Sequence, residues 1–192
     1  CVIPASLTHI GQDLELKSVA GTFAHGKLDQ GARAMLEVLD LTRQPESILD
    51  YGCGNGILGI IAGIQCPEAH TTFVDDSAAA IVSTQTNIRR HFNSVQLEHS
   101  QLLEQDSLEN IATDSVDVVL NNPPFHDAGA RNSYIAHGMF KDALRVLKPG
   151  GELWVVGNRH LHYERILRRL FEHCEHKGKH SKFVILKAIK SV

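Results

Sequence analysis

Much that would mark a specialised protein is scarce in these 192 residues. Cysteine is rare: four in all, at Cys1, Cys53, Cys66 and Cys174, with no paired spacing. That excludes a disulfide-stapled scaffold and the C-x-x-C zinc and redox motifs, and it fits a reduced, cytoplasmic protein. No apolar run approaches the roughly 20 residues of a membrane-spanning helix, and no signal-peptide pattern is present. Neither repeats nor a Pro- or Ser-rich linker occur, so nothing divides the chain into separate units. Twelve histidines raise the question of a metal, with His160 and His162 two apart and His173, Cys174 and His176 close together. No C-x-x-C partner or H-E-x-x-H helix accompanies them, and no metal is expected. The chain opens on Cys1 rather than Met, as a piece of a longer protein would.

What is present suits one globular domain. The length is enough for a full core, and 43% of the residues are apolar. The net charge of −3 is unevenly spread: residues 1–140 hold 7 Lys and Arg against 17 Asp and Glu, residues 141–192 hold 12 against 5. A basic C-terminal part of this kind attracts phosphates.

The densest signal is Leu49-Asp50-Tyr51-Gly52-Cys53-Gly54-Asn55-Gly56. A buried-strand pattern, Ser47 to Tyr51, runs into three alternate glycines and then an apolar helix starting at Ile57. Glycine lets the backbone turn tightly beside a ligand, and a helix start offers free N–H groups. The acid two residues before the first glycine suits a cationic ligand better than a pyrophosphate. This G-x-G-x-G form resembles motif I of the class I S-adenosylmethionine-dependent methyltransferases.

Strand and helix patterns alternate along the rest of the chain. Leu14 to Ala20 reads as a strand, and Asp29 caps a helix whose Ala32, Met35, Leu36 and Leu39 share a face. The helix after the glycines ends at Cys66-Pro67-Glu68. His70 to Val74 reads as a strand ending in Asp75-Asp76, and Ser77 opens a helix over 78–91. An acid at that strand end is where a doubly wound fold holds ribose hydroxyls, which selects Asp75. Asp76 competes with Ser77 as the cap of the next helix. Val95 to Glu98 reads as a third strand and Ser100 to Thr113 as loop and short helix, which places Ser100 and Gln101 beside the cofactor base. Asp117 to Asn121 is a fourth strand, 131–147 a helix, Glu152 to Gly157 a fifth strand, Leu161 to Phe171 a helix and Lys182 to Ile189 a last strand. The alternation predicts an α/β, Rossmann-like fold with a parallel sheet and ligands at the carboxyl ends of its strands.

Asn122-Pro123-Pro124-Phe125 follows the fourth strand. The two prolines forbid a helix start and hold a rigid, extended corner. An exocyclic base nitrogen is a poor nucleophile because its lone pair is delocalised into the ring. The Asn122 side-chain oxygen and the Pro123 carbonyl could each accept one of its N–H protons, favouring a tetrahedral nitrogen and the positive charge that grows on it. Phe125 could stack on the flipped base.

Asn-Pro-Pro-Phe resembles motif IV of the amino methyltransferases, and with His126 it is similar to that of the ribosomal RNA guanine-N2 methyltransferases. Leu28 to Arg33, Phe73-Val74-Asp75, Gly151-Glu152-Leu153, Gly157 to Leu161 and Lys182 to Lys190 also resemble the C-terminal catalytic half of the large-subunit (23S) members. The resemblance implies a seven-stranded, mostly parallel sheet with an antiparallel last strand and helices on both faces. It further implies a strand and helix over 14–40 ahead of a core over 46–192, and a missing methyltransferase-like domain before Cys1. N2-methylguanine in 23S rRNA would be the product and S-adenosylmethionine the cofactor. The enzyme would be a monomer with no membrane association. Asn122, Pro123, Pro124 and Phe125 would be catalytic. Asp29, Asp50, Tyr51, Gly52, Cys53, Gly54, Asn55, Gly56, Asp75, Asp76, Ser77, Gln101 and Asn122 would hold the cofactor. Tyr51 departs from the aliphatic residue usual in the family, and Asp76 from Glu or Ser. The 16S relatives, and enzymes acting on adenine or glutamine nitrogens, share Asn-Pro-Pro and remain open as alternatives.

Overall fold

A computed structural model of the chain describes residues 2–7, 12–19, 29–124, 130–178 and 180–192. Seven strands form one sheet: β3 (Ser47–Tyr51), β4 (His70–Asp75), β5 (Ser100–Glu104), β6 (Val116–Asn121), β7 (Leu147–Asn158), β8 (His173–His176) and β9 (Phe183–Ile189). Their spatial order is β5-β4-β3-β6-β7-β9-β8. Neighbours from β5 through β7 are parallel, and β9 is antiparallel to both β7 and β8. The chain steps outward one way through β3, β4 and β5, then restarts at β6 on the other side of β3. The carboxyl ends of β3 and β6 therefore meet at a topological switch point, where such sheets bind ligands.

Both faces of the sheet are covered. Along β9, Phe183 and Ile185 join the apolar layer that contains α1 (Gln30–Leu36) and α2 (Ile57–Gln65). Val184, Leu186 and Ala188 join the opposite layer, which contains α5 (Ala130–Val146) and α6 (Tyr163–Leu170). The period-2 alternation along this strand is what separates the two cores. α3 (Ala78–His91) lies on the α2 side through Ile88, with Ser77 as its N-cap accepting from the Ala80 N–H at 3.4 Å. Ser77 thus wins the capping position from Asp76. Lys187 on β9 stands opposite Trp154 on β7: its Nζ lies 2.6 Å from Glu152 Oε1, and the Trp154 indole N–H donates to Glu152 Oε2 at 3.0 Å.

Two sequence expectations are corrected. Val95 to Glu98 is not a strand but part of α4 (Ser94–Glu98), opened by a reciprocal cap between Asn93 and Gln96. The third parallel strand is β5, inside the stretch read as loop and short helix. Two strands went unread. β8 is a four-residue edge strand, and β1 (Val2–Leu7) pairs with β2 (Gln12–Lys17) as a separate antiparallel hairpin. Among the described residues no helix is long and apolar enough to cross a membrane.

Close packing of α2 on the sheet rests on Gly59. A Cβ there would lie 2.4 Å from the Phe73 ring and 3.0 Å from Asp50 Cβ. Helix propensity alone would make Gly59→Ala stabilising by about 1 kcal/mol. Overpacking should instead make it destabilising by about 1–3 kcal/mol, read from the urea midpoint. An unchanged or higher midpoint would refute the packing argument.

Candidate active site

The glycine loop between β3 and α2 takes its shape from three left-handed residues: Gly52 (φ 75°), Gly54 (φ 58°) and Gly56 (φ 83°). Side chains are strained at such angles, which explains the alternate-glycine spacing. A Cβ at Gly54 would meet nothing within 4 Å, so the backbone there is open to an incoming group. The rest of the loop is clamped. The Val74 carbonyl accepts from the Gly52 and Cys53 N–H groups at 2.8 and 3.0 Å. The Thr84 hydroxyl donates to the Gly54 carbonyl at 3.1 Å, and the Asn87 amide donates to the Asn55 carbonyl at 2.9 Å. The same Asn87 amide exchanges hydrogen bonds with the Lys17 backbone, at 2.8 and 2.7 Å, and so joins β2 to the loop.

Asp50 is buried at the end of β3, where its Oδ2 accepts the Gly59 N–H at 2.8 Å. Burial pushes its carboxyl up to about 7; that hydrogen bond opposes the rise and nearby Asp75 adds to it. Asp75 Oδ2 accepts from Gly54 N–H at 2.8 Å and its Oδ1 from Ser77 N–H at 3.0 Å. Two hydrogen bonds leave a carboxylate with spare lone pairs. Burial also raises the Asp75 carboxyl above its ordinary range.

These groups border a cavity of about 550 Å³ at the switch point. Among the described residues that line it are six aspartates, at 29, 50, 75, 76, 106 and 142, and no Lys or Arg. Its field selects a cation.

The Asn-Pro-Pro corner forms the opposite wall. The Asn122 Nδ2 donates to Asp29 Oδ2 at 3.0 Å, and the same oxygen caps α1 by accepting from Ala32 N–H at 2.7 Å. Because Asp29 engages the amide nitrogen, the amide oxygen is turned away from it. Asn122 Oδ1 is buried and has no hydrogen-bond partner among the described residues. An acceptor left in that state costs about 1–3 kcal/mol unless a ligand donates to it. Pro123 and Pro124 line the cavity beside it. Phe125 lies outside the described residues.

The structure brings Asp29, Asp50, Tyr51, Gly52, Cys53, Gly54, Asn55, Asp75, Asp76, Ser77 and Asn122 to one cavity. Gly56 stands behind it as the N-cap of α2, and Gln101 does not line it. With β5 running from Ser100 to Glu104, Gln101 sits early in the strand, opposite Thr72, and Gln105 and Asp106 occupy the carboxyl-end position. Sequence reasoning also missed Tyr134, Ile135, Gly138, Met139 and Asp142, which line the cavity from α5. Their 4-residue spacing was the available signal. Tyr51 reaches across to this wall: its hydroxyl lies 3.0 Å from Asp142 Oδ2 and 3.1 Å from the Asp106 carbonyl. Desolvation, reinforced by Asp142, holds its phenol well above the usual range, so it stays a donor.

Residues 13–187 match the model of the methyltransferase small domain family. The ribosomal RNA large subunit methyltransferase G of Pseudoalteromonas translucida is 43% identical over 181 residues, 94% of this chain and 47% of that protein. The protein of the same name from Streptomyces avermitilis is 43% identical over 89% of this chain and 44% of its own length. The chain thus spans about half the length of the curated relatives it matches. Among solved structures, the T. thermophilus 16S rRNA N2 G1207 methyltransferase, in complex with AdoMet and guanosine, superposes with a TM-score of 0.83. It is 26% identical, over 99% of this chain and 50% of that one. An O-methyltransferase family protein from Burkholderia thailandensis shares the fold at a TM-score of 0.63 and 14% identity, covering 83% of this chain and 55% of that one.

Asp29→Ala removes the α1 cap and should lower stability by about 1 kcal/mol in a urea melt. A midpoint equal to that of the unaltered protein would show that the cap carries no weight.

Proposed function

The chain belongs to the methyltransferase small domain family, and from that premise we propose that it is the catalytic half of a longer rRNA methyltransferase. It transfers a methyl group from S-adenosylmethionine to the exocyclic N2 of a guanine in 23S rRNA. One observation carries the reading: the buried Asn122 oxygen has no hydrogen-bond partner among the described residues and stands at the wall of an acid-lined cavity. The similarity to large subunit methyltransferase G proteins supports the 23S assignment over 16S. The reaction takes place in the cytoplasm, where the rRNA is made.

The residues present fit S-adenosylmethionine, a ligand of net positive charge. Asp50 and its five companion aspartates suit that charge. Asp75 has lone pairs left for ribose hydroxyls, and Gly54 lets the backbone approach without a side chain in the way. When bound, the cofactor supplies an electrophilic methyl on a sulfonium. The protein's part is to prepare the nitrogen. Asn122 Oδ1 accepts one amine proton and the Pro123 carbonyl the other, drawing the lone pair out of conjugation with the ring. Asp29 keeps the Asn122 oxygen, rather than its NH₂, directed at the amine. No strong base is required before transfer, because the methylated amine is acidic and loses its proton readily.

Tritiated S-adenosylmethionine should label unmodified 23S rRNA. Label in 16S rRNA and none in 23S would move the substrate to the small subunit. Asn122→Ala should lower kcat about 10²-fold, far more than it alters the cofactor Kd, which should stay similar. Unaltered turnover would remove Asn122 from the mechanism.

The raised Asp50 carboxyl predicts a proton linkage. Below pH 7 it is largely protonated, and a bound cation favours the ionised form and lowers its pKa, so cofactor binding at pH 6 should release a proton. Calorimetry at pH 6 in two buffers of different ionisation enthalpy should give different heats, and Asp50→Asn should abolish the difference. Equal heats for the unaltered protein would exclude the linkage.

A further inference from the structure

We propose that a second cavity, at the carboxyl end of β7 and against α6, holds a backbone phosphate of the RNA strand whose guanine enters the first. The inference rests on the rRNA reading above and names the part of that substrate the first cavity cannot hold. An acid-lined pocket repels phosphates, so a strand that delivers a base there needs a cationic contact close by.

The second cavity measures about 670 Å³, and Arg159, Arg165, Arg168 and Arg169 stand in its wall. Its one carboxylate, Glu164, is already engaged: Arg168 Nε lies 2.9 Å from one oxygen and His176 Nε2 2.7 Å from the other. Among the described residues Arg165 and Arg169 have no ion pair, and the Arg159 guanidinium donates to the neutral carbonyl of His180. Uncommitted guanidinium groups match a phosphate with two parallel hydrogen bonds.

The second, independent feature is Tyr163. It lines the cavity and is 1% exposed, yet its hydroxyl has no hydrogen-bond partner among the described residues. The ring is fixed in place. It meets Phe140 edge-on at 5.3 Å, and a Cβ on Gly157 would come within 2.6 Å of it. Desolvation pushes the phenol up to about 12, which keeps the proton on oxygen. A fixed, protonated donor that finds no acceptor among the described residues is the complement of a phosphate oxygen.

Topology sets the two cavities on the same edge of the sheet. β6 and β7 are parallel neighbours with Asn121 opposite Val155. Asn122 therefore leaves the sheet at the same edge, and one strand away from, the turn at Arg159–Leu161 that follows β7.

The test uses the complete protein that carries this chain and in vitro transcribed 23S rRNA. Arg165→Ala/Arg169→Ala should weaken RNA binding about tenfold or more. It should also flatten the slope of log K against log salt by about 1–2 and raise the KM for RNA. The kcat at saturating RNA and the S-adenosylmethionine Kd should not change. Tyr163→Phe should weaken RNA binding several-fold without lowering the urea midpoint, a result that a purely structural tyrosine would not give. RNA affinity and salt slope equal to the unaltered protein in the double variant overturn the proposal. So does a double variant that loses affinity for polyglutamate but not for RNA, since the occupant would then be an acidic protein segment. Full methylation of 23S rRNA with unaltered affinity rejects the phosphate site and leaves the function standing. No methylation of any rRNA, with RNA affinity still lost in the double variant, does the reverse.

Discussion

A single hydrogen bond inside the protein, from the Gly59 N–H to the Asp50 carboxylate, sets the geometry of everything around the switch point. The N-cap of α2 is Gly56, which has no side chain to cap with. Asp50, six residues earlier and at the end of β3, supplies the missing acceptor. Strand end and helix start are thereby tied across the loop, and the three left-handed glycines must bridge a fixed gap. The contact demands close approach, which only a glycine at 59 allows. A carboxylate taken so far from water is expensive to ionise, and a cationic ligand is what would offset that expense.

Charge is divided by region in a way the fold explains. The acids at the ends of β3 and β4, after β5, and on α5 converge on one cavity because parallel strands put their carboxyl ends on one edge. The arginines collect further along that edge, on the turn after β7 and on α6. The acidic first part and basic last part of the chain thus contribute two fields of opposite sign along one edge of the sheet.

Most of the sheet was legible because its strands and helices follow the periods that burial imposes. The last strand, the Asp29 and Ser77 caps and the break at Cys66-Pro67 each read correctly for a local reason. The failures are local too. Val95 has a β-branched side chain, and that outweighed the Asn93–Gln96 cap signature that starts α4. β5 is an edge strand of half-buried and exposed residues, so it shows no clean alternation, and the misplacement carried Gln101 into a site that Gln105 and Asp106 occupy. β8 buries Cys174 alone. The Asp50 loop and Asn122 stood out because their chemistry demands particular residue types. The Asp29–Asn122 bond did not, because 93 residues separate its partners.

The placement of β9 carries a consequence for biosynthesis. It lies between β7 and β8 yet follows both in the chain. Until residues 183–189 emerge from translation, β7 keeps an unpaired edge on the side away from β6, and β8 has no partner strand among the described residues. The nascent polypeptide therefore carries an open, sticky rim for as long as it takes to make the β8–β9 hairpin. Chaperone protection is most needed during that interval.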